Sequence, residues 1–429
     1  MTHLPDISLF FFEDEVADRF DPIASVRPVF ELTCGPLSLR ERVTRYLGAR
    51  QWGVSLRPHL SDVYQQTYSG QVTMSPHRMP DGPVLCLNGR YLPDLKWLCS
   101  LGTDQAACFG DRIVALYLSV DEMQEFREAA RGEFLKDYLE RRRRVPARGR
   151  FLDYPWQLVE WNTQQLNDDL PLLFPEVTTQ SPWTMVDLAG HPLTILGHPQ
   201  QVVLHKSTQV DPFVVFDARK GPIVVDEQVR IQSFSRIEGP CYIGPHTQLF
   251  HANIREGTTI GPVCRIGGEI EGSILHGYIN KYHDGFLGHS YICPWVNLGA
   301  MTTNSDLKNN YSTIKFPLGD QLVETNNTKL GSLIGDHAKT AIGTMLNTGT
   351  SVGVMSMILP ADRLPPRNIP SFTHWWDGEL REPRDMSELI TTAAAVKARR
   401  GLEFTKAEES LYRLLYHRSQ HMRQSVVGR

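Results

Sequence analysis

Lys281-Tyr282-His283-Asp284-Gly285-Phe286-Leu287-Gly288, followed by Val296-Asn297-Leu298-Gly299-Ala300, brings an ammonium, an imidazole, a carboxylate and an amide into one short stretch. An imidazole that titrates near neutrality can take the proton from an attacking nucleophile and return it to a leaving group. His283 is the first candidate for that base, against the plainer reading of a hydrogen-bonded surface histidine; His276 and His289 are alternative imidazoles. Asp284 is next in sequence, but adjacency does not orient the ring. The three histidines fit no compact metal-binding motif. Earlier in the chain, Arg27, Arg40 and Arg42 offer guanidinium groups that pair well with phosphate oxygens. The bland alternative is that Arg27 and Arg40 form salt bridges with Glu31 or Glu41.

What positions the histidine is a repeat. From Val225 to Asp362 branched apolar residues return every six positions: Val225, Ile231, Ile237, Ile243 and Leu249, then Ile254, Ile260 and Ile266, then Phe286, Ile292 and Leu298, then Ile334, Thr340, Leu346, Val352 and Ile358. Neither a helix nor a simple alternating strand generates that period. A coil with three flat faces does, each face sending one aliphatic residue into a shared core, so the region reads as a solenoid of stacked coils. The spacing distorts between Ile266 and Phe286 and fails between Thr303 and Leu333. That polar excursion carries Asn304, Asp306, Lys308 and Asn310, and insertions in solenoids map to one face, often the binding face. The aromatic run Phe372 to Trp376 suits a cap on the last coil, and Asp385 to Gln420 reads as helical.

The arginines belong to a different architecture. Ile7 to Phe12, Val84 to Leu87 and Ile113 to Leu118 are apolar runs of strand length, separated by helical patterns. Ser38 with Glu41 forms a helix-opening capping box, and a charged helix is expected from Asp121 to Arg144. This is an α/β layer with a mostly parallel sheet, in which ligands sit at the carboxyl ends of strands. Asn88-Gly89-Arg90 and Asp94 lie at one such end; Asp153 and Asn162 are weaker ligand candidates. The expected division is 1–210 for the α/β domain, 211–362 for the solenoid and 363–429 for a C-terminal arm with helices.

Composition sets outer limits. A net charge of -4, 41 % hydrophobic and 21 % charged residues describe an ordinary soluble chain with no electrostatic invitation to nucleic acid. The seven scattered cysteines suggest neither a disulfide framework nor a zinc-thiolate site. The apolar run near the N-terminus is too short and too acidic for a signal or a membrane span, so the expected setting is cytoplasmic.

On these motifs the chain resembles the divergent, alternative branch of the bacterial bifunctional family that joins a UDP-N-acetylglucosamine pyrophosphorylase to a glucosamine-1-phosphate N-acetyltransferase. The resemblance implies a nucleotidyltransferase-like domain followed by a left-handed parallel β-helix that assembles as a homotrimer. It also implies acetyl-CoA, an amino sugar phosphate, a nucleoside triphosphate and Mg2+ as small-molecule partners. By the same resemblance His283 is the general base, and Asn297 and Ala300 line the acetyl-transfer site. Lys281, Phe286, Asn304 and Lys308 contact acyl-CoA or acceptor, and Arg27, Arg40, Arg42, Asn88, Gly89 and Arg90 bind nucleotide or phosphate. Asp94 or Asp14 supplies a carboxylate to the metal. The departures are specific. Gln248 to Ala252 and Gly267 to Glu271 lack the basic residues that hold the sugar phosphate in the usual acetyltransferase, leaving Arg255, Arg265 and Lys281 as substitutes. Phe12-Glu13-Asp14-Glu15-Val16-Ala17 lacks the glycines of the common nucleotide loop, and Phe286 replaces a tyrosine. Nucleotidyl transfer alone on a scaffold, acyl transfer alone, and a structural trimer without chemistry stay open as alternatives.

Overall fold

The computed structural model describes residues 8–74, 83–119, 121–122, 142–174, 183–185, 193–383 and 385–427. Contacts divide the chain into two compact units. One is built mainly from 37–154 with the first twenty residues and 26–32; the other is 155–429 with the short pieces 21–25 and 33–36.

In the first unit the described residues form a seven-stranded sheet. Ser8–Phe12 is an interior strand, parallel to both Trp52–Ser55 and the central Val84–Asn88, and is buried on both faces, which is why it reads as an unbroken apolar run. Arg112–Leu118 is antiparallel to both of its neighbours, Val84–Asn88 and Gln105–Phe109. Ser38 caps the Leu39–Leu47 helix as its sequence indicates: its hydroxyl accepts from the Glu41 N–H while the Glu41 carboxylate accepts from the Ser38 N–H. Most of the charged helix expected from Asp121 to Arg144 lies outside the described residues; its last two residues, Arg143 and Arg144, instead open the strand Arg143–Pro146, parallel to Gln105–Phe109.

The second unit is a stack of parallel coils, carried among the described residues by two long sheets of 10 and 14 strands. Val225, Ile231, Ile237, Ile243, Leu249, Ile254, Ile260 and Ile266 share one continuous core, and Ile292, Leu298, Ile334, Leu346, Val352 and Ile358 extend it. Phe286 is the exception: it is half-buried, and Leu287 takes the inward position. The inward place falls to Leu287 because it pairs in register with the core residue Ile270, while Phe286 pairs with Glu269. The 303–333 excursion does not interrupt the stack. Tyr291–Ile292 pairs directly with Leu333–Ile334, and the excursion folds out as the antiparallel hairpin Lys315–Leu318 and Gln321–Glu324.

The Gln157–Leu173 helix docks on the side of the stack through Asn162, which accepts from the Gly35 N–H at 2.8 Å and donates to the Gly257 carbonyl at 2.8 Å. At the C-terminal end of the stack His374–Trp376 folds back on Glu379–Arg381, with Trp375 buried over the last coil, as terminal repeats require. The C-terminal helical region is broken rather than continuous. Met386–Ala398 and Lys406–Arg418 are separated at Gly401, whose φ of 71° ends the first helix, and the Lys397 ammonium clamps them by donating to both Glu408 oxygens at 2.6 Å.

Candidate functional site

Parallel, in-register pairing converts distant positions into neighbours. Gln248 pairs with Arg265, Arg265 with Asn280, Asn280 with Asn297, and Asn297 with Lys339. These five residues form one outward-facing polar column across successive coils, and all five line a cavity of about 620 Å3. Beside the column runs a row of corner residues in the left-handed region, Tyr278, Trp295 and His337 (φ 54°, 67° and 58°), each two positions before a column residue. Non-glycine residues seldom adopt that conformation. Here the rings stack, Tyr278 on Trp295 at 4.4 Å and Trp295 on His337 at 5.9 Å. The row is also where the C-terminal helices dock: Tyr412 meets His337 edge-on at 5.5 Å, and Lys397 sits over Trp295 at 6.0 Å. That docking brings Val396, Arg399 and Arg400 to the cavity wall.

His283 and Asn297 both line this cavity. His283 is exposed on the turn after Asn280–Lys281, its ring against that of Tyr282 at 4.8 Å. Among the described residues no side chain hydrogen-bonds its ring nitrogens, so they are open to a substrate. Asn297 is held. Its Oδ1 accepts from Asn280 Nδ2 at 2.6 Å, which leaves its NH2 to donate within the cavity.

The other residues expected at the acyl site serve the scaffold. Lys281 is paired with the core residue Ile266 and points inward, 2 % exposed. Its ammonium donates to the Gly267 carbonyl at 2.7 Å and to the carbonyl of His283 at 3.2 Å, and burial pushes its pKa down to about 8. It therefore props the turn that carries His283. Asn304 is buried and staples Gly288, accepting from its N–H at 2.9 Å and donating to its carbonyl at 3.0 Å. Lys308 ties the excursion to the Thr313 carbonyl, the Ala300 carbonyl accepts from the Gly343 N–H at 2.8 Å, and Phe286 lies outside the cavity lining. Of the alternative imidazoles, His289 is engaged with Asp306 at 2.7 Å, and His276 lies near the Tyr291 ring; neither lines the cavity.

Of the three substitutes for the missing basic residues, Arg265 alone reaches the cavity; Arg255 pairs with Glu269 at 3.2 Å. Lys339, Arg399 and Arg400 were not anticipated. Burial lowers the Lys339 pKa to about 8; burial and then the Arg400 charge lower that of Arg265.

The first unit treats its arginines differently. Arg40 is buried against Glu31 at 2.5 Å, with its guanidinium over Trp52 at 4.2 Å and Tyr68 at 4.8 Å. Arg90 grips Asp14 at 2.6 Å, donates to the Leu152 carbonyl, and stacks on Phe151 at 4.2 Å. Arg42 donates to the Pro93 carbonyl at 2.6 Å, and the Arg27 carbonyl accepts from Arg57 at 3.0 Å. Asn88 joins the Arg90 network, donating to Asp14 at 2.9 Å. At Gly89 an added Cβ would lie 2.9 Å from the Phe30 ring, so glycine is a packing requirement there. Asp153, the weaker candidate, is held by Arg112 at 2.5 Å. Asp94 caps the Leu95–Leu98 helix, accepting from the Trp97 N–H at 3.0 Å. With Asp14 committed to a guanidinium and Asp94 to a cap, these two carboxylates do not fit a magnesium site. No group of three or more His, Cys, Asp or Glu among the described residues is arranged for a metal. No helix among them is long and apolar enough to cross a membrane.

Residues 9–176 match the family described as "Sugar nucleotidyl transferase". On that match the chain is a transferase. No curated protein matches the chain. Among solved structures, an acetyltransferase-described product of the BC4754 gene of Bacillus cereus aligns at 12 % identity and a TM-score of 0.21, covering 53 % of this chain and 98 % of its own. AntD, an N-acyltransferase from Bacillus cereus in complex with dTDP and coenzyme A, aligns at 9 % identity and a TM-score of 0.18, covering 49 % and 92 %. AntD with dTDP-4-amino-4,6-dideoxyglucose and coenzyme A gives 13 % and 0.16, covering 48 % and 91 %. Alignments this weak say nothing about activity.

Proposed function

We propose a bifunctional transferase of sugar-nucleotide synthesis, in which the solenoid moves an acetyl group from acetyl-CoA to the amine of an amino sugar phosphate. The N-terminal unit joins a sugar 1-phosphate to a nucleoside triphosphate with release of pyrophosphate, as in the formation of UDP-N-acetylglucosamine. The proposal takes the solenoid as a left-handed coil that assembles as a homotrimer in the cytoplasm. The observation that carries the acyl-transfer half is the meeting of His283 and Asn297 in one cavity on the solenoid face.

The amine attacks the thioester carbonyl and a C–N bond forms; the His283 ring takes the amine proton. The Asn297 NH2 donates to the oxyanion, where a fixed donor acts most strongly. The C–S bond breaks, and the imidazolium returns the proton to the departing thiolate. The match over residues 9–176 supports the nucleotidyl half. A second reading, acyl transfer alone, is favoured by the internal pairing of Arg40 with Glu31 and Arg90 with Asp14, which leaves those cations neutralised by protein carboxylates.

The test is free-thiol release from acetyl-CoA with glucosamine 1-phosphate, and pyrophosphate release with UTP and N-acetylglucosamine 1-phosphate, in wild type and His283→Ala. The expected result is a loss of about 10^2- to 10^4-fold in thiol release with pyrophosphate release unchanged. Thiol release that survives in His283→Ala overturns the assignment of the base. Pyrophosphate release absent from the wild type leaves acyl transfer alone.

A further inference from the structure

The cavity is lined by four cations, Arg265, Lys339, Arg399 and Arg400, and by no carboxylate. None of the four makes an ion pair with any described residue. The contacts of Arg265 and Lys339 are with backbone carbonyls, those of His246 and Cys264 at 3.3 and 3.2 Å and that of His337 at 3.2 Å. Two of the four are partly desolvated, and Arg400 acts on Arg265 as a like charge. Holding like charges together without a counter-charge is unfavourable unless an anion joins them. Elsewhere in this unit basic side chains near acids are paired, as Arg236 is with Glu238 at 2.7 Å and Lys397 with Glu408 at 2.6 Å.

Resting on the acyl-transfer reading of this cavity, we propose that Arg265, Lys339, Arg399 and Arg400 form a phosphate-binding subsite, so that the end of the Met386–Ala398 helix is part of the substrate site. The column supplies two of the charges and the C-terminal helix the other two. Both substrates of the proposed reaction carry phosphoesters, and the cations select for that shared chemistry. Guanidinium forks suit phosphate oxygens, while the neutral amides of Asn280 and Asn297 are left for the reacting end of the ligand. The missing basic residues of Gln248 to Ala252 and Gly267 to Glu271 are thereby replaced from a later coil and from a helix beyond the solenoid.

Titration calorimetry of the full-length protein tests this with coenzyme A, 3′-dephospho-coenzyme A, inorganic pyrophosphate, glucosamine 1-phosphate and glucosamine. Arg399→Ala/Arg400→Ala should weaken a phosphate-bearing ligand by about ten- to a hundredfold, the worth of one or two charge-assisted hydrogen bonds. Arg381→Ala, on the terminal hairpin, should leave binding unchanged. A loss seen with coenzyme A but not with its dephospho form assigns the subsite to the acyl donor; a loss seen with glucosamine 1-phosphate assigns it to the acceptor. Arg399→Lys/Arg400→Lys, which keeps charge, should recover part of the affinity and checks that the alanine effect is not misfolding. Binding of every phosphate ligand at wild-type affinity by the alanine variant overturns the proposal, as does a wild type that binds none. If the variant loses pyrophosphate binding while the wild type shows no acyl transfer, the subsite stands and the acyl-transfer reading falls.

Discussion

Two sets of basic residues face different electrostatic fates in this chain. In the first unit Arg40 and Arg90 are buried, stacked on aromatic rings and matched to Glu31 and Asp14. Around the solenoid cavity Arg265, Lys339, Arg399 and Arg400 face one another with no acid in the lining. A buried pair closes its own electrostatics and holds the fold; an unmatched cluster keeps its field for a ligand. The difference teaches that basic residues are informative about binding only once their partners are known, because burying a charge is tolerated when a counter-charge comes with it.

The largest effect should come from breaking a matched pair. Arg40→Met leaves the Glu31 carboxylate buried and is expected to cost about 3–5 kcal/mol in denaturant unfolding. The combined Glu31→Leu/Arg40→Met variant should recover most of that, and equal losses in single and double variants would contradict the pairing. On the unmatched side, Arg399→Ala and Arg400→Ala should each change stability by no more than about 0.5 kcal/mol, since no protein partner is orphaned. A loss comparable to that of Arg40→Met would place them in the scaffold instead.

Lys281 sharpens the contrast from between the two classes, being buried like Arg40 but held only by carbonyls and the more distant charges of Asp284 and Glu269. Its folded pKa, about 8, lies below the ordinary 10.5. Between those values the unfolded chain holds a proton that the folded chain has released, so stability rises with pH across that window and the penalty is fully present below about 8. The shift corresponds to at most about 3 kcal/mol. Lys281→Met should flatten the rise between pH 8 and 10.5 relative to wild type, measured by urea midpoints. Loss of its bond to the His283 carbonyl should lower kcat for thiol release more than it changes KM. An unaltered pH slope would mean that the ammonium is solvated.

The smallest effect concerns the corner row. Trp295→Leu removes stacking on Tyr278 and His337 worth about 0.5–1.5 kcal/mol beyond buried area, and should raise KM for the phosphate-bearing substrate by loosening the helix that carries Arg399. An unchanged KM would separate the aromatic row from the site.

Much was legible from the residue order. The six-residue period of branched residues from Val225 onward shows where the aliphatic core runs, because each flat face can send only one side chain inward. Ser38 with Glu41 marks a helix start by chemistry confined to four residues. His283 stood out by residue type and Asn297 only through the family resemblance, and both line the cavity. Phe286 and Lys281 were misplaced for a common reason: cross-coil register sets which side chain faces inward, Lys281 pairing with Ile266 and Leu287 with Ile270, and a one-residue offset reverses that facing. Helical period alone also missed the break at Gly401 and the strand at Arg143–Pro146.

What the sequence by itself determined is therefore local: the coil period, the strand runs, the cap, and a histidine in a polar turn. What only the tertiary structure decided is which charges meet. Register stacks Gln248, Arg265, Asn280, Asn297 and Lys339 into a column although unequal stretches of chain separate them, and the ring row at Tyr278, Trp295 and His337 docks the helix that delivers Arg399 and Arg400. The physical reason is range. Capping and periodicity act over a few residues, whereas charge pairing depends on distance in space, which chain order does not contain.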